Sequence, residues 1–598
     1  MIKTMKIKSC IAALLAVFTL GMTTSCEDMF DITSDRVVYD HEINSTADSV
    51  YTTLGVLQCM RKVADRYILL GEVRGDMAEI TEHTKTSLRN LANFNFDDEN
   101  EYLNVRDYYA IINNCNYALA KMDTTLAINN QRVMLDEYAA LQGIRAWTYL
   151  QLAINYGEVP YYTNPVVTEA DVEKAYAEGK KDIKAITEDL APRLIPYLDY
   201  DLPVFVQTQG GYPILRLVLA DLYLWSGDYE NAAKYLEEYF MKNKKRSYRA
   251  QEGVYLAVQP GYFSLGGKFL TWDGDERLPM VDINPLSESY SSVGSDENLS
   301  HIEMAVSSDE GITSEVSSLF FPVGDKVSLN PSSAWKTLSN QQMVFKYEEL
   351  RDGKDTLYRT TKLGDMRSKH YQSLKVTIED GITGETETLN PYHKHSAMYI
   401  QIYRRSIGYL RWAEALNALA KERYAVAADS AQFAEARTLA INSFYLMKDA
   451  SKVFFPDSSD VQKKFQFAES TYKETFTGVH SRGCGDVARD SIYYVLESGV
   501  VAKRLGKSVA ELTFNDTIEY IDNLIIDELA LESTLEGNRF GDLIRFAKRR
   551  QAWGDGEYRD FLAKRVAERG VSEEEPMRDD ALYNKLNDSE EYWYLPFK

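Results

Sequence analysis

Two clusters of side chains in this 598-residue chain have types and spacings that could hold a metal ion. His393 and His395 flank Lys394, but the sequence indicates no third ligand, and a zinc site needs three or four. The run from Asp97 to Glu101 could attract calcium, yet it lacks the ligand spacing of an EF-hand loop and is more typical of a solvated turn. We therefore predict no metal site and no cofactor.

His480 and Cys484 are a base and a nucleophile only four positions apart in the sequence, and they could form a catalytic dyad. The neighbouring Gly478, Gly483 and Gly485 instead favour a tight structural turn. The sequence contains no HExxH, GxSxG, P-loop or Rossmann glycine pattern. Its 90 acidic residues could include a carboxylate pair for glycoside cleavage, but nothing singles out one pair. No catalytic residue is predicted.

Cys26 has the surroundings of a lipidated cysteine. Three lysines precede an apolar run at residues 11–20, which is too short to span a bilayer, and small residues follow at 23–25. Thr23 departs from the aliphatic residue usual at its position. The pattern predicts a lipoprotein signal peptide over 1–25, a lipid anchor on Cys26 and a polar tether over 26–48. Ordinary secretion with an incidental Cys26 is the alternative, and an uncleaved membrane anchor is a weaker one.

Composition narrows the class of partner. The formal net charge is −23, and loss of the signal peptide makes it more negative, so nucleic acid is disfavoured as a ligand. Beyond the signal peptide, the three cysteines Cys59, Cys115 and Cys484 make neither a disulfide framework nor a thiolate zinc site. The 41 tyrosines suit helix packing and equally suit sugar or peptide surfaces, so they do not decide between these uses.

Helical periodicity dominates from about residue 50 to residue 239. Small residues between Leu219 and Ala232 face each other across a Gly227-Asp228 turn, a pattern typical of tetratricopeptide helix pairs. A second such pair runs from Tyr409 to Ala434. We predict a mainly α fold, with about four tetratricopeptide-like helix pairs forming a scaffold. A generic α-bundle is the alternative.

Two stretches lack the helical periodicity of apolar residues, near residues 250–395 and 450–490. Val376 and Ile378 alternate with polar residues before a Gly-rich turn, which predicts a β-hairpin. Trp272 and Trp335 fall in sequence typical of loops. We predict a helical half over 49–245 and a second half over 246–598 that carries both loop-rich insertions and a few short strands. Long loops on a rigid scaffold are frequent binding regions.

A series of different short motifs lies along most of the mature chain, at Leu70–Asp76, Tyr109–Tyr117, Glu137–Pro160, Leu219–Ala232, Tyr403–Ala415, Asp527–Arg545 and Trp593–Pro596. Each motif alone is weak, but their order together with the lipoprotein start resembles the SusD/RagB family. The resemblance implies an α fold with four tetratricopeptide-like helix pairs supporting a variable, loop-rich half. The insertions follow no pattern of the family.

The resemblance also implies a function. Such proteins are surface lipoproteins of the outer membrane that act as lids on SusC-type TonB-dependent transporters, with the helical face toward the transporter and the ligand face outward. They bind glycans in most cases and peptides in the RagB branch, and they are not enzymes. Glu414 and Arg545 lie in shared motifs and are better interpreted as buried or capping groups than as ligand contacts.

Candidate ligand contacts follow from the regions where the family places its aromatic platform, combined with the chemistry of sugar recognition. Flat aromatic rings stack on the C–H faces of sugars, while polar side chains bond the hydroxyls. The predicted ligand-binding residues are Asn93, Phe94, Phe96, Trp272, Asp273, Tyr290 and Trp335. The alternative is that these aromatics cover helix ends in the core.

The leading hypothesis is a non-catalytic glycan-binding lipoprotein, anchored in the outer membrane and facing the cell exterior, that delivers oligosaccharides to a SusC-type transporter. Oligopeptide capture is an alternative of the same class. A helical glycoside hydrolase or lyase is a rival of a different class, and it should bring two carboxylates together in one cleft. A purely structural repeat scaffold should show no aromatic platform.

Overall fold

The computed structural model describes residues 42–597 apart from a set of internal positions. The positions left out are 98, 201–202, 204–210, 243–269, 274–275, 280–297, 323–325, 347–359, 373, 380–383, 385, 449–478, 480–493 and 495. The predictions for Cys26, Tyr290, His480 and Cys484 therefore lie outside the described residues.

Helices form most of the described chain. Those of the first half are α1 (Thr46–Arg61), α2 (Ala64–Glu72), α3 (Thr86–Ala92), α4 (Arg106–Lys121), α5 (Leu135–Tyr156), α6 (Glu169–Glu178), α7 (Ile183–Leu194), α8 (Leu215–Ser226) and α9 (Tyr229–Glu237). Those of the second half are α10 (Val316–Leu319), α11 (Ser333–Asn340), α12 (Met366–Tyr371), α13 (Arg405–Val426), α14 (Ser430–Lys448), α15 (Ser498–Arg504), α16 (Phe514–Glu532), α17 (Arg539–Ala552), α18 (Tyr558–Ala567) and α19 (Asp580–Asp588).

The strands are short and pair two by two, always antiparallel. The pairs are β1 (Ala78–Ile80) with β9 (Leu329–Pro331), β2 (Ala127–Ile128) with β3 (Gln131–Arg132), β4 (Val159–Pro160) with β5 (Lys180–Lys181), β6 (Leu270–Asp273) with β7 (Glu276–Pro279), β8 (Asn298–Glu303) with β14 (Tyr399–Arg404), β10 (Met343–Lys346) with β11 (Thr360–Leu363), and β12 (Val376–Glu379) with β13 (Thr386–Leu389).

The predicted fold class, mainly α with helix pairs and a few short strands, is confirmed. Helices α4 and α5, α8 and α9, and α13 and α14 pack against each other as sequential pairs. The α8–α9 turn forms where the sequence predicted it: Gly227 adopts φ +84° and ends α8, and the Asp228 side chain accepts the N–H of Asn231 and begins α9. None of the described helices is both long and apolar enough to cross a membrane.

The two predicted halves form one packed body. Helix α9 of the first half packs against α13 of the second, and α13 in turn packs against α16. The first helix begins at Thr46, inside the segment predicted as a tether, and Ile43 already forms a parallel bridge with Met122. Helix α1 therefore overlaps the end of the segment predicted as a tether over 26–48.

The irregular part of the second half contains both a confirmed prediction and a wrong one. The predicted hairpin is present, with Val376 paired to Leu389. Trp335, however, lies in helix α11 and not in a loop. The local reason is an N-cap: Ser332 accepts the N–H of Trp335 and begins a helix in sequence that resembles a loop because it is rich in serine.

A close backbone approach between distant parts of the chain joins α2 to the segment 533–538. A Cβ atom added at Gly71 would lie 1.8 Å from the carbonyl oxygen of Gly537, so only glycine allows this contact. The buried Glu72 carboxylate accepts the backbone N–H groups of Leu535, Gly537 and Arg539. These bonds satisfy the backbone of a segment that contains two residues with positive φ, Leu535 and Gly537.

An ion pair extends the same junction. Both carboxylate oxygens of Asp76 accept hydrogen bonds from the Arg539 guanidinium, including one of 2.8 Å from Nη2. Both side chains are almost fully buried. Burial alone would raise the pKa of Asp76, but the charge and hydrogen bonds of Arg539 outweigh it, so the pKa lies below 3.8. The carboxylate is therefore ionised in the folded protein.

We expect Gly71→Ala to lower the free energy of unfolding by about 3 kcal/mol or more, because the new methyl group overlaps the Gly537 carbonyl. Gly55→Ala is the matched control: Gly55 lies in the exposed interior of α1 with open space around it, so alanine should stabilise by about 0.5–1 kcal/mol. Urea unfolding of both variants measures the difference. Equal stability of the two variants would contradict the described contact.

We expect Asp76→Asn to lower the free energy of unfolding by about 3–5 kcal/mol at pH 7, because it leaves the buried Arg539 charge unpaired. The stabilisation from Asp76 is present above its unfolded pKa of 3.8 and is lost as pH falls through the lower folded pKa. Urea unfolding from pH 7 to pH 3 should therefore show the wild-type advantage shrinking below about pH 4. Asp580→Asn, at an exposed ion pair, should cost less than about 1 kcal/mol. A wild-type advantage independent of pH would contradict the assignment.

Candidate functional site

The described residues line an open cleft of about 900 Å³. Six segments far apart in the chain form it: the end of α3, the end of α5, the start of α7, the α8–α9 turn, α17, and the region from α19 to the C-terminus. Its volume is in the range of small-molecule sites. The aromatic residues among its lining are Phe94, Phe96, Tyr156, Trp225, Tyr229, Tyr592 and Tyr594.

Contacts with α17 hold the Trp225 side chain, which lines the cleft. Trp225 lies in the last turn of α8, and its ring packs over Gly541. A Cβ atom added at Gly541 would lie 3.4 Å from the Trp225 ring. The Arg545 guanidinium lies 5.1 Å from the ring centroid, in cation–π geometry. Arg545 in turn donates two hydrogen bonds of 2.7 Å to Glu414. Glu414 and Arg545 are both buried, as the sequence predicted, and that neither contacts a ligand stays a prediction.

The C-terminal segment supplies the opposite side of the cleft. Tyr594 packs its ring on Gly157, where a Cβ atom would lie 3.3 Å from the ring. The Leu595 N–H donates to the Asn155 carbonyl over 2.8 Å, and Arg74 donates to the Trp593 carbonyl over 3.1 Å. Burial raises the pKa of Tyr594 to about 12, so its hydroxyl is protonated at neutral pH. These bonds hold residues 593–595 against α5.

Tyr592 and Lys585 form the accessible polar edge of the cleft. The Tyr592 side chain is 41% exposed. The Lys585 ammonium lies 5.5 Å from the Tyr592 ring centroid and donates a hydrogen bond of 2.6 Å to the Phe94 carbonyl. Phe94 has φ +55°, an uncommon conformation for a bulky residue, and its ring packs 5.3 Å from Phe540. The arrangement leaves an exposed phenol ring beside a fixed cation.

The structure brings together two of the predicted ligand residues. Phe94 and Phe96 both line the cleft, 5.8 Å apart by ring centroids. Phe94 is buried and Phe96 is partly exposed. Asn93 lies one residue earlier and ends helix α3 through its backbone N–H, which donates to the Arg89 carbonyl. Their contact with a ligand stays a prediction.

The other predicted residues lie elsewhere. Trp335 is 3% exposed, and its indole N–H donates 3.0 Å to the Thr534 hydroxyl, so it offers no ring face to a ligand in this structure. This placement matches the alternative in which the aromatic covers a helix end in the core. Trp272 and Asp273 lie on strand β6, whose backbone pairs with Arg277 and Glu276, but their side chains lie outside the described set. Tyr290 lies outside it as well.

The two sequence clusters that could have held metal have structural explanations. Lys394, between His393 and His395, is buried and forms an ion pair with Glu536. Burial, with a smaller effect of the Lys394 charge, lowers the pKa of His395 to about 3. Asp97 accepts hydrogen bonds from Asn90 and from the backbone of Glu99, as in a solvated turn. Within the described ranges, no group of three or more His, Cys, Asp or Glu side chains could hold a metal ion.

Sequence reasoning missed Trp225, Lys585, Tyr592 and Tyr594 as cleft residues. Trp225 and Tyr594 belonged to motifs interpreted as scaffold, and both do pack in the scaffold while also lining the cleft. The available signals were an aromatic residue two positions before a Gly-Asp turn and the aromatic run at 592–594. Neither signal indicates which other segments complete the cleft.

Solved structures with a similar fold include SusD-type proteins. A SusD homolog from Bacteroides thetaiotaomicron aligns over 94% of this chain and 96% of its own, with 14% identity and a TM-score of 0.52. A SusD superfamily protein from the same organism aligns over 84% and 89%, with 14% identity and a TM-score of 0.50. A SusD-like carbohydrate binding protein from Bacteroides vulgatus aligns over 84% of both chains, with 14% identity and a TM-score of 0.47.

The first two of these alignments show a chain with the SusD-like fold, and they confirm the resemblance proposed from the sequence at the level of fold. No protein-family model matches the chain, and no curated protein matches it by sequence. The likeness therefore lies in the arrangement of helices, which is retained at 14% identity.

We expect Trp335→Phe to lower the free energy of unfolding by about 1–3 kcal/mol, because it removes a buried N–H that donates to Thr534. Ligand affinity should not change, since the ring lies in the core. Tyr51→Phe, at a side chain that is 73% exposed, is the control and should change stability by less than about 0.5 kcal/mol. Loss of ligand affinity by the folded Trp335→Phe protein would restore Trp335 as a binding residue.

Proposed function

We propose that this protein is a non-catalytic glycan-binding lipoprotein that captures oligosaccharides at the cleft. The observation that carries the proposal is the pairing of Trp225, held by Arg545, with the exposed Tyr592 in one cleft of about 900 Å³. Rigid rings lose little conformational entropy when a sugar face stacks on them. The surrounding amine and carboxylates supply hydrogen bonds for hydroxyl groups.

The rest of the proposal concerns the place of the protein in the cell. Cys26 would carry a lipid anchor in the outer membrane, with the body facing the cell exterior. A SusC-type TonB-dependent transporter would receive the bound oligosaccharide. The SusD-like fold and the lipoprotein pattern at 1–25 support this assignment. The further ligand contacts that we propose are Asn93, Phe94, Phe96, Trp272, Asp273 and Tyr290.

Oligopeptide capture is the second candidate, favoured by the mixture of charged and aromatic side chains that line the cleft. A binding screen separates the two candidates. The purified protein is tested against amylose, laminarin, xylan, mannan, polygalacturonate and alginate, and against a mixture of oligopeptides. Retention of a polysaccharide without release of reducing ends supports glycan capture. Retention of peptides alone would replace the first candidate by the second, and release of reducing ends would identify an enzyme.

We expect Tyr592→Ala and Trp225→Ala each to weaken binding of the retained glycan about tenfold, since each removes a stacking surface worth about 1.4 kcal/mol. Titration calorimetry measures the affinity, and thermal unfolding verifies that each variant is folded. Tyr592→Ala is the sharper test, because this side chain is 41% exposed and its loss should cost little stability.

Tyr176→Ala is the matched control for the stacking variants. Tyr176 is 76% exposed on α6, does not line the cleft, and should leave the affinity unchanged. If Tyr592→Ala and Trp225→Ala bind as well as the wild type, the cleft is not the glycan site. If the Tyr176→Ala protein is the variant that loses affinity, the site lies on α6.

A further inference from the structure

The two arginines that line the cleft, Arg545 and Arg549, already form ion pairs within the protein. Arg545 donates to Glu414 and to Asp542. Arg549 donates to Glu414 over 2.5 Å and to Asp522 over 2.6 Å. These partners are all buried, so the two guanidinium groups are held in the core. Their positive charges are compensated there and attract a ligand only weakly.

The two lysines of the cleft differ from each other. Lys548 forms an ion pair with Glu590, whose other oxygen accepts a hydrogen bond of 2.6 Å from Tyr558. Lys585 donates to the Phe94 carbonyl, and the described part of the chain contains no carboxylate within ion-pair distance of it. Among the described residues that line the cleft, Lys585 is therefore the lysine without a carboxylate partner, and it has further N–H groups for a ligand.

Acidic side chains surround the same opening. Glu158 and Glu591 line the cleft and are exposed, and Asp182 lines it while accepting the Ala185 N–H at the start of α7. None of the three has an ion-pair partner among residues that the structure describes. Three unpaired carboxylates and one unpaired ammonium therefore line the cleft, in a protein whose formal net charge is −23.

We propose that the cleft takes uncharged oligosaccharides and rejects anionic ones by electrostatic repulsion; the inference rests on the proposed function. A uronate or sulfated sugar would bring its negative charge to a site where the unpaired charges are mainly negative. An uncharged sugar avoids this repulsion. It stacks on Trp225 and Tyr592, and its hydroxyls accept from Lys585 and donate to the three carboxylates.

The first arm of the test compares polymers within the binding screen. Tightest retention of an uncharged polymer, such as amylose, laminarin, xylan or mannan, supports the inference. Tightest retention of polygalacturonate or alginate overturns it and leaves glycan capture standing. Failure to retain any polysaccharide overturns the proposed function itself, so the two failures are distinct.

The second arm isolates charge from shape. The retained oligosaccharide is prepared in carboxymethylated and hydroxyethylated forms with the same degree of substitution. At 10 mM salt, where charges act over about 30 Å, the carboxymethylated form should bind the wild-type protein at least tenfold more weakly than the hydroxyethylated form. At 1 M salt, where this distance is about 3 Å, the difference should fall below about twofold.

A charge-neutralising variant completes the test. Glu158→Gln combined with Glu591→Gln should narrow the tenfold difference at 10 mM salt to about threefold or less. Each glutamine keeps an oxygen that can accept from a sugar hydroxyl but carries no charge, so the readout is the ratio of the two affinities and not the affinity for either form. The control combines Glu573→Gln with Glu574→Gln, two exposed acids outside the cleft, and should keep the full difference. A difference that persists in 1 M salt and in the double cleft variant overturns the inference, because the rejection is then steric.

Discussion

The packing of helix α2 against the segment 533–538 is the constraint on which the rest of the structure depends. Two glycines, Gly71 and Gly537, let the two backbones approach within a distance that no side chain would permit. Glu72 then satisfies the backbone N–H groups of the segment, and the Asp76–Arg539 pair closes the junction in the core. Because the partners stand more than 460 residues apart, this junction joins the first helices of the chain to the last ones.

The cleft follows from this junction. Arg74, one turn beyond the contact, bonds Asn155 of α5 and the Trp593 carbonyl and packs on the Phe540 ring. It thereby holds three segments of the chain at fixed positions around the cleft. Burial lowers the pKa of Arg74 to about 9, which still leaves it charged at neutral pH. Trp225, which lines the same cleft, is held by Arg545, and Arg545 is held by Glu414. Buried polar contacts therefore support both Trp225 and the C-terminal segment of the cleft.

Local patterns made the fold predictable, and long-range contacts made the site unpredictable. The Gly227-Asp228 turn, the hairpin at Val376 and the structural role of Glu414 all followed from signals within a few residues or from the resemblance. Trp335 was misplaced because its helix depends on a serine cap within polar sequence. Trp225 was missed because its role depends on Arg545, 320 positions along the chain, and such pairing leaves no periodic trace in one sequence.

The central claim is that an oligosaccharide stacks on Trp225 and Tyr592 in the cleft. A crystal structure of the protein soaked with the glycan that it retains tests this claim most directly. We expect sugar rings within about 4 Å of both aromatic rings, with sugar hydroxyls near Lys585. Sugar bound on another surface, for example beside the β6–β7 hairpin with the cleft empty, would contradict it.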